Sequence, residues 1–334
     1  QPQPMSEEPI ILATAGYENV IKLWQAYSAQ LIRQLEHAGS QVNALSISPD
    51  RRTLAAAGYE HIRLYDIGDT LVTSPSLSFD MQKNITAVGF DGHGKWMYSG
   101  GEDCVCRVWD LRHARGGQGG NPCSRLFQVN GPITSVCLHP NQIELFVGDA
   151  TGAVHIWDLR SNQSCSLVPD LDARIQSVAV NQAGTHLAAL ANTGSCFMWS
   201  LASAVTNVSG SQAVPKARIA AHSGYGLRCA FSPDSTLLAT CGSDRLCNVW
   251  KTSDYQKQVE LSGADKWVWD CAFSADSEFV VTVSSDGCAR LYSIDDGAKP
   301  RREYRGSTKS AGHGSTSAKP MTCLAFVDDS YADD

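Results

Sequence analysis

The chain has 334 residues, of which 43% are hydrophobic and 18% charged, with a formal net charge of −7. That apolar fraction suffices for buried sheets and excludes wholesale disorder, and a modest acidic balance without a basic face argues against nonspecific nucleic-acid binding. No apolar run reaches the roughly 18 residues of a membrane span and no signal peptide is visible, so the expectation is a cytoplasmic protein with no membrane insertion.

Residues 1–8 are expected to be disordered. Beyond them one unit recurs: an apolar run of strand length, a turn, and an alternating run that ends on an aromatic residue. In chain order the copies are LATAGYENVIKLWQ, LAAAGYEHIRLYD, MYSGGEDCVCRVWD, LFVGDATGAVHIWD, LAALANTGSCFMWS, LLATCGSDRLCNVWK and VVTVSSDGCARLYS. Their closing aromatics, Trp24, Tyr65, Trp109, Trp157, Trp199, Trp250 and Tyr292, stand 41 to 51 residues apart, close to the spacing of about 40 to 45 expected of a WD repeat.

A second series supports the count. Short apolar strands precede six of the units as VNALSIS, ITAVGFD, ITSVCLH, IQSVAVN, LRCAFSP and VWDCAFS, and a last one, MTCLAFV, has no unit after it. The unit at Trp24 has none before it. The chain therefore reads as an all-β, seven-bladed WD40 β-propeller over residues 9–327, closed when the C-terminal strand Met321–Val327 joins the N-terminal blade, with an acidic tail at 328–334. Closure removes exposed strand edges. A repeat running end to end overrides the prior of about two domains for this length.

Insertions fall at His113–Pro122, Leu201–Pro215 and Ala298–Pro320, and are expected to be loops; the last carries Lys299, Arg301, Arg302, Arg305, Lys309 and Lys319 among Gly and Ser. The twelve cysteines sit mostly singly in strands and read as small apolar fillers. Cys104 and Cys106 form the one tight pair, and without a C-x-x-C or Cys/His ligand spacing no metal or cofactor is expected.

His222, Thr240, Asp244 and Trp250 occupy positions that resemble the buried hydrogen-bond tetrad of WD40 blades, a structural rather than catalytic role. Elsewhere the tetrad is incomplete: Asp286 has Ala264 at the His position, Asp103 has Met81, and His37 is out of register by one. Those blades are expected to rely on packing, with Asp103 and Asp286 capping their own turns. The innermost strands carry Ala44, Ala87, Ser135, Ser177, Arg228, Asp270 and Cys323 at one equivalent position, a single carboxylate where a catalytic centre needs several. The expectation is that the protein is no enzyme.

What remains is a binding surface. Gln41, Asn84, Pro132, Arg174, Tyr225, Trp267 and Pro320 enter the innermost strands, and two positions on come Asn43, Thr86, Thr134, Gln176, Leu227, Trp269 and Thr322. Both sets are expected around one mouth of the channel. Tyr225, Leu227, Trp267 and Trp269 make one sector aromatic and apolar, and the amides Gln41, Asn43 and Asn84 follow across the closure. Large aromatics on an exposed rim favour a protein-binding hot spot, although Trp269 has the alternative of pointing into the blade interface.

Together ILATAGYENVIKLWQAYS, SQVNALSISPDRRTLAAAGYEHIRLYD, WMYSGGEDCVCRVWDLR, CLHPNQIELFVGDATGAVHIWDLR, FSPDSTLLATC and WVWDCAFS resemble the G-protein-β-subunit-like (GβL) WD-repeat subunit of target-of-rapamycin (TOR) kinase complexes, over about residues 9–327. The resemblance implies a noncatalytic subunit of TOR complexes 1 and 2 that docks on the C-terminal lobe of the TOR kinase domain and supports its stability and activity in nutrient and growth signalling. It implies a kinase-facing rim at Gln41, Asn43, Trp267 and Trp269, indirect contact with other subunits, a monomeric propeller within the complex, and recruitment to endomembrane surfaces through it. The rival reading is a WD40 adaptor of another complex, a ubiquitin-ligase receptor or peptide reader, which requires charged pockets at the channel mouth.

Overall fold

The computed structural model describes residues 11–26, 28–69, 71–112, 122–202, 212–305 and 319–327. The expected disordered N-terminus, the acidic tail, Lys309 and most of the His113–Pro122 loop lie outside the described residues.

Alternating apolar runs broken by turns at this spacing give strands too short to bury alone, and they assemble four at a time. β1 (Ile11–Gly16), β2 (Val20–Gln25) and β3 (Gln30–Glu36) belong to the closing blade. Blade 2 is β4 (Val42–Ile47), β5 (Thr53–Gly58), β6 (His61–Asp66) and β7 (Leu77–Asp80). Blade 3 is β8 (Ile85–Phe90), β9 (Trp96–Gly101), β10 (Val105–Asp110) and β11 (Cys123–Gln128). Blade 4 is β12 (Ile133–Leu138), β13 (Glu144–Asp149), β14 (Val154–Asp158) and β15 (Ser164–Leu167). Blade 5 is β16 (Ile175–Val180), β17 (His186–Ala191), β18 (Ser195–Ala202) and β19 (Gln212–Ala220). Blade 6 is β20 (Gly226–Phe231), β21 (Leu237–Gly242), β22 (Cys247–Lys251) and β23 (Lys257–Leu261). Blade 7 is β24 (Val268–Phe273), β25 (Phe279–Ser284), β26 (Cys288–Ser293) and β27 (Arg302–Arg305). β28 (Met321–Val327) pairs antiparallel with β1, so the closing blade has the order β28-β1-β2-β3. All-β architecture, seven blades and closure by the last strand are as the sequence implies.

The insertions need correcting at their ends. Leu201 and Ala202 continue β18 and pair with Ala213 and Gln212 of β19, so both ends of the expected loop are strand, and its middle, 203–211, lies outside the described residues. Arg302–Arg305, expected as loop, is the outer strand of blade 7 and pairs with Cys288–Leu291. Its charged residues hid the strand; Tyr304 is buried on its inner face, its ring 5.9 Å from Trp24 of the closing blade. Charged side chains on such an outer edge discourage pairing with another chain.

Seven clusters of buried side chains fill the seven seams. One runs from Ala13 and Leu23 of the closing blade to Leu45 and Tyr65 of blade 2, and another from Cys241 and Val249 of blade 6 to Val268 and Tyr292 of blade 7. The cohesive force is thus hydrophobic contact between blades, roughly 25 cal/mol for each Å² of apolar surface removed from water.

One irregularity repeats in every blade. Where the innermost strand meets its neighbour the register shifts by a residue, a β-bulge at Asn43, Thr86, Thr134, Gln176, Leu227, Trp269 and Thr322. A bulge turns its side chain away from the regular alternation. Four of these side chains reach the first residue of the next blade's innermost strand: Asn43 donates to the Ile85 carbonyl at 2.9 Å, Thr86 to Ile133 at 2.7 Å, Thr134 to Ile175 at 2.7 Å, and Thr322 to Val42 at 2.8 Å. They act as latches from blade to blade.

Candidate protein-binding rim

The hairpin turns between the second and third strands open on the same face as the bulges. Each hairpin holds one residue in the left-handed region, at Asn19, Glu60, Cys104, Gly152, Gly194, Arg245 and Gly287. Gly194 has no substitute: its φ is +78°, and a Cβ there would lie 2.3 Å from the His222 carbonyl oxygen.

The aromatic sector is continuous. Tyr225 is 54% exposed and Trp267 42% exposed; their rings are 6.1 Å apart, and Trp267 lies 5.6 Å from Trp269. Trp269 is half-buried and its indole N–H donates to the Ser285 hydroxyl, so it backs the exposed pair rather than vanishing into the seam. Leu227 and Trp269 occupy bulges where four other blades carry a latch, so apolar side chains face the mouth there. A cleft of about 390 Å³ flanks Trp267, walled by Ser243, Arg245, Asp265, Lys266 and Ser285.

The amide sector is a hydrogen-bonded chain. Gln41 Nε2 donates to Asn43 Oδ1 at 3.3 Å, Asn43 Nδ2 donates to Asn84 Oδ1 at 2.6 Å, and Asn84 Nδ2 donates to Glu102 at 3.2 Å. Asn43 is therefore committed to its neighbours and to the Ile85 carbonyl, and it orients Gln41 and Asn84. The two sectors do not touch through these residues, because the closing blade stands between blades 7 and 2.

Sequence reasoning missed what fills that gap. Tyr17, on the β1–β2 turn, is 48% exposed, and Tyr59, on the β5–β6 turn, is 53% exposed. Tyr17 N–H donates to the Pro320 carbonyl, and Tyr59 N–H to the Ser40 hydroxyl beside Gln41. The signal was present: the word Ala-Gly-Tyr-Glu occurs at 15–18 and again at 57–60, where the other hairpins place Glu102, Ala150, Asn192, Ser243 and Ser285 at the tyrosine position. Pro132 and Arg174 are exposed on the far side of the mouth.

Below the rim, His222 Nδ1 lies 3.0 Å from Asp244, His222 Nε2 3.0 Å from Thr240 Oγ1, and the Trp250 indole donates to that hydroxyl at 3.0 Å. Burial opposes ionisation of Asp244, but hydrogen bonds from His222, Ser223 and Leu246 outweigh it and lower its pKa. The incomplete tetrads are not left to packing and local caps alone. In blade 3 Arg107 pairs with Asp103 at 2.6 Å, and in blade 7 the buried Arg290 pairs with Asp286 at 2.8 Å; each arginine, four residues after its aspartate, supplies the side-chain donor that a histidine supplies in blade 6. His37, despite its shifted register, is buried, with Nδ1 2.9 Å from the Tyr65 hydroxyl and Nε2 3.1 Å from His61 Nε2.

Inside the channel Asp270 pairs with Arg228 at 3.1 Å and accepts from the Leu324 amide at 3.1 Å. It thereby ties blades 6 and 7 to the closing strand. The arrangement at the rim is suited to recognising another protein: exposed aromatic area for contact, oriented amides for register, and a rigid ring beneath.

The family described as WD domain, G-beta repeat matches residues 29–66, 74–110, 121–158, 214–251 and 255–293. Among curated relatives, the bovine protein named target of rapamycin complex subunit LST8 is 46% identical over 336 residues, covering 98% of both chains. The LST8 homolog of Drosophila melanogaster is 44% identical over 79% of this chain and 82% of its own. The target of rapamycin complex subunit wat1 of Schizosaccharomyces pombe is 39% identical over 76% and 78% respectively.

Proposed function

The chain belongs to the LST8 family of WD-repeat proteins, and from this premise we propose that it is a noncatalytic subunit of TOR complexes 1 and 2 whose rim binds the C-terminal lobe of the TOR kinase domain. Held against a rigid ring, that lobe loses mobility, which orders the active site and limits substrate access; other subunits are met indirectly. The protein works in the cytoplasm and reaches endomembranes with its complex.

The observation that carries the rim assignment is the contiguous aromatic cluster of exposed Tyr225 and Trp267 backed by half-buried Trp269. Rigid aromatic side chains bury much area at small entropic cost. An interface of roughly 1,200–2,000 Å² is normal for a stable complex, and truncating a central tryptophan costs on the order of 2 kcal/mol, about a thirtyfold loss of affinity. The test is affinity capture from cells of the wild-type chain beside Trp267→Ala with Gln41→Ala, together with a thermal melt of each. TOR kinase is expected with wild type and strongly reduced with the folded variant. Capture of another complex in its place refutes the assignment, and kinase retained by the variant moves the interface off this rim.

A further inference from the structure

Cysteines that the sequence scatters over two blades converge in the seam between them. Cys241 on β21 and Cys247 on β22 stand directly opposite each other across the hairpin. Cys271 comes from β24 of the next blade. All three are buried, and their sulfur atoms lie within 4.8 Å of one another. Among the described residues this is the one group of three or more His, Cys, Asp or Glu side chains close enough to share an ion.

We propose that Cys241, Cys247 and Cys271 form a three-coordinate thiolate site for a soft monovalent cation of the copper(I) class. A metal bonded to three sulfurs at about 2.3 Å places them about 4 Å apart, so the cluster needs only a small contraction. The choice of metal follows from the donors. Thiolates select soft ions, whereas a structural zinc site requires four ligands; the cysteines share the seam with Val249, Leu261, Val268 and Tyr292, and Asp244 and Arg228 stand close enough to act on the sulfurs. Binding through two thiolates and one thiol displaces two protons from the all-thiol cluster and leaves one negative charge on the complex.

Such an ion would bridge β21 and β22 of blade 6 to β24 of blade 7, on the strand that carries Trp269. Because the site is closed to solvent, the ion enters as the chain folds, and metal binding then adds to folding stability.

The experiment refolds the full-length chain anaerobically with chelator-buffered copper(I), and in parallel with zinc(II), followed by gel filtration, elemental analysis and ultraviolet sulfur-to-copper charge-transfer spectra. Expected are one copper per wild-type chain, a charge-transfer band, a raised melting temperature, and no retained zinc. Cys247→Ala is expected to lose both copper and band, and Cys165→Ala, which alters an exposed cysteine elsewhere, to keep them. If Cys247→Ala fails to fold, Cys271→Val tests the ligand from the other blade, and the wild-type melting temperature with and without copper(I) tests the site without any substitution. The proposal is overturned by a folded wild-type chain that retains no copper, by copper retained equally in the Cys247 or Cys271 variant, by preferential retention of zinc, or by a Cys241–Cys247 disulfide in the anaerobic protein.

Discussion

Thr240 serves His222 and Trp250 through one hydroxyl, with the Asn248 carbonyl a longer third contact at 3.4 Å. With His222 donating from Nδ1 to Asp244, its Nε2 accepts the Thr240 proton while the Thr240 oxygen accepts from Trp250. Thr240→Val leaves a buried indole N–H and an imidazole nitrogen unpaired, and is expected to cost about 1–3 kcal/mol; urea unfolding beside wild type measures it, and an unchanged midpoint would deprive the tetrad of its stabilising role. His37 sets a pH dependence at the same scale. Burial first, then His61 and Arg63, push its pKa down from 6.5 to about 3. The unfolded chain therefore takes up this proton before the folded one, so its stabilising effect is fully present above about pH 6.5 and is lost progressively as pH falls toward 3. One pH unit below the unfolded value the loss is about 1 kcal/mol. Asp270, raised to about 6 by burial, acts in the opposite direction below pH 6, so the difference between wild type and His37→Asn isolates the histidine. Melting temperature is expected to fall more steeply between pH 7 and 5 in wild type than in the variant.

At the scale of the strand, the bulges decide what the rim is. Period-two alternation places Asn43, Thr86 and Trp269 on a face of a flat strand, each two residues past a turn residue, of which Gln41 and Asn84 are half-buried and Trp267 exposed. It did not reveal the extra residue that turns these side chains toward the next blade, because a bulge depends on pairing with a partner strand. Tyr17 and Tyr59 were legible only as turn residues, and the meeting of Cys241, Cys247 and Cys271 was not legible at all, since the third comes from another repeat. The charged β27 was hidden for a related reason: its one buried residue, Tyr304, is recognisable only when Trp24, 280 positions earlier, is beside it. The latches themselves yield an expectation. Thr322→Val removes the hydrogen bond from β28 to the Val42 carbonyl and is expected to cost about 1 kcal/mol, with hydrogen exchange accelerating first in β28 and β1. Uniform acceleration over all blades would show that opening is not localised at the closure.

For the whole molecule, repetition made the architecture readable: seven aromatic-terminated hairpins, the first lacking its inner strand and one inner strand left over after the last, admit a closed ring with a shared blade. The seams are hydrophobic and each blade depends on both neighbours, so the ring is expected to unfold as a cooperative unit. Deleting the chain from Lys319 onward removes β28 and leaves the inner edge of β1 unpaired. The truncated protein is expected to self-associate, detectable as species larger than a monomer by light scattering after gel filtration. A monodisperse monomer with the wild-type melting temperature would contradict the closure role assigned to β28.

The pairing of β1 with β28 also imposes an order in time. Ile11 meets Val327 and Leu12 meets Phe326, so β1 waits after its own synthesis until the whole of the chain between it and β28 has been made. At roughly 5–20 residues per second, the ribosome takes about fifteen seconds to a minute to cover that distance. During the whole of that interval the nascent chain carries an open sheet edge, and every later blade is complete before the first one is.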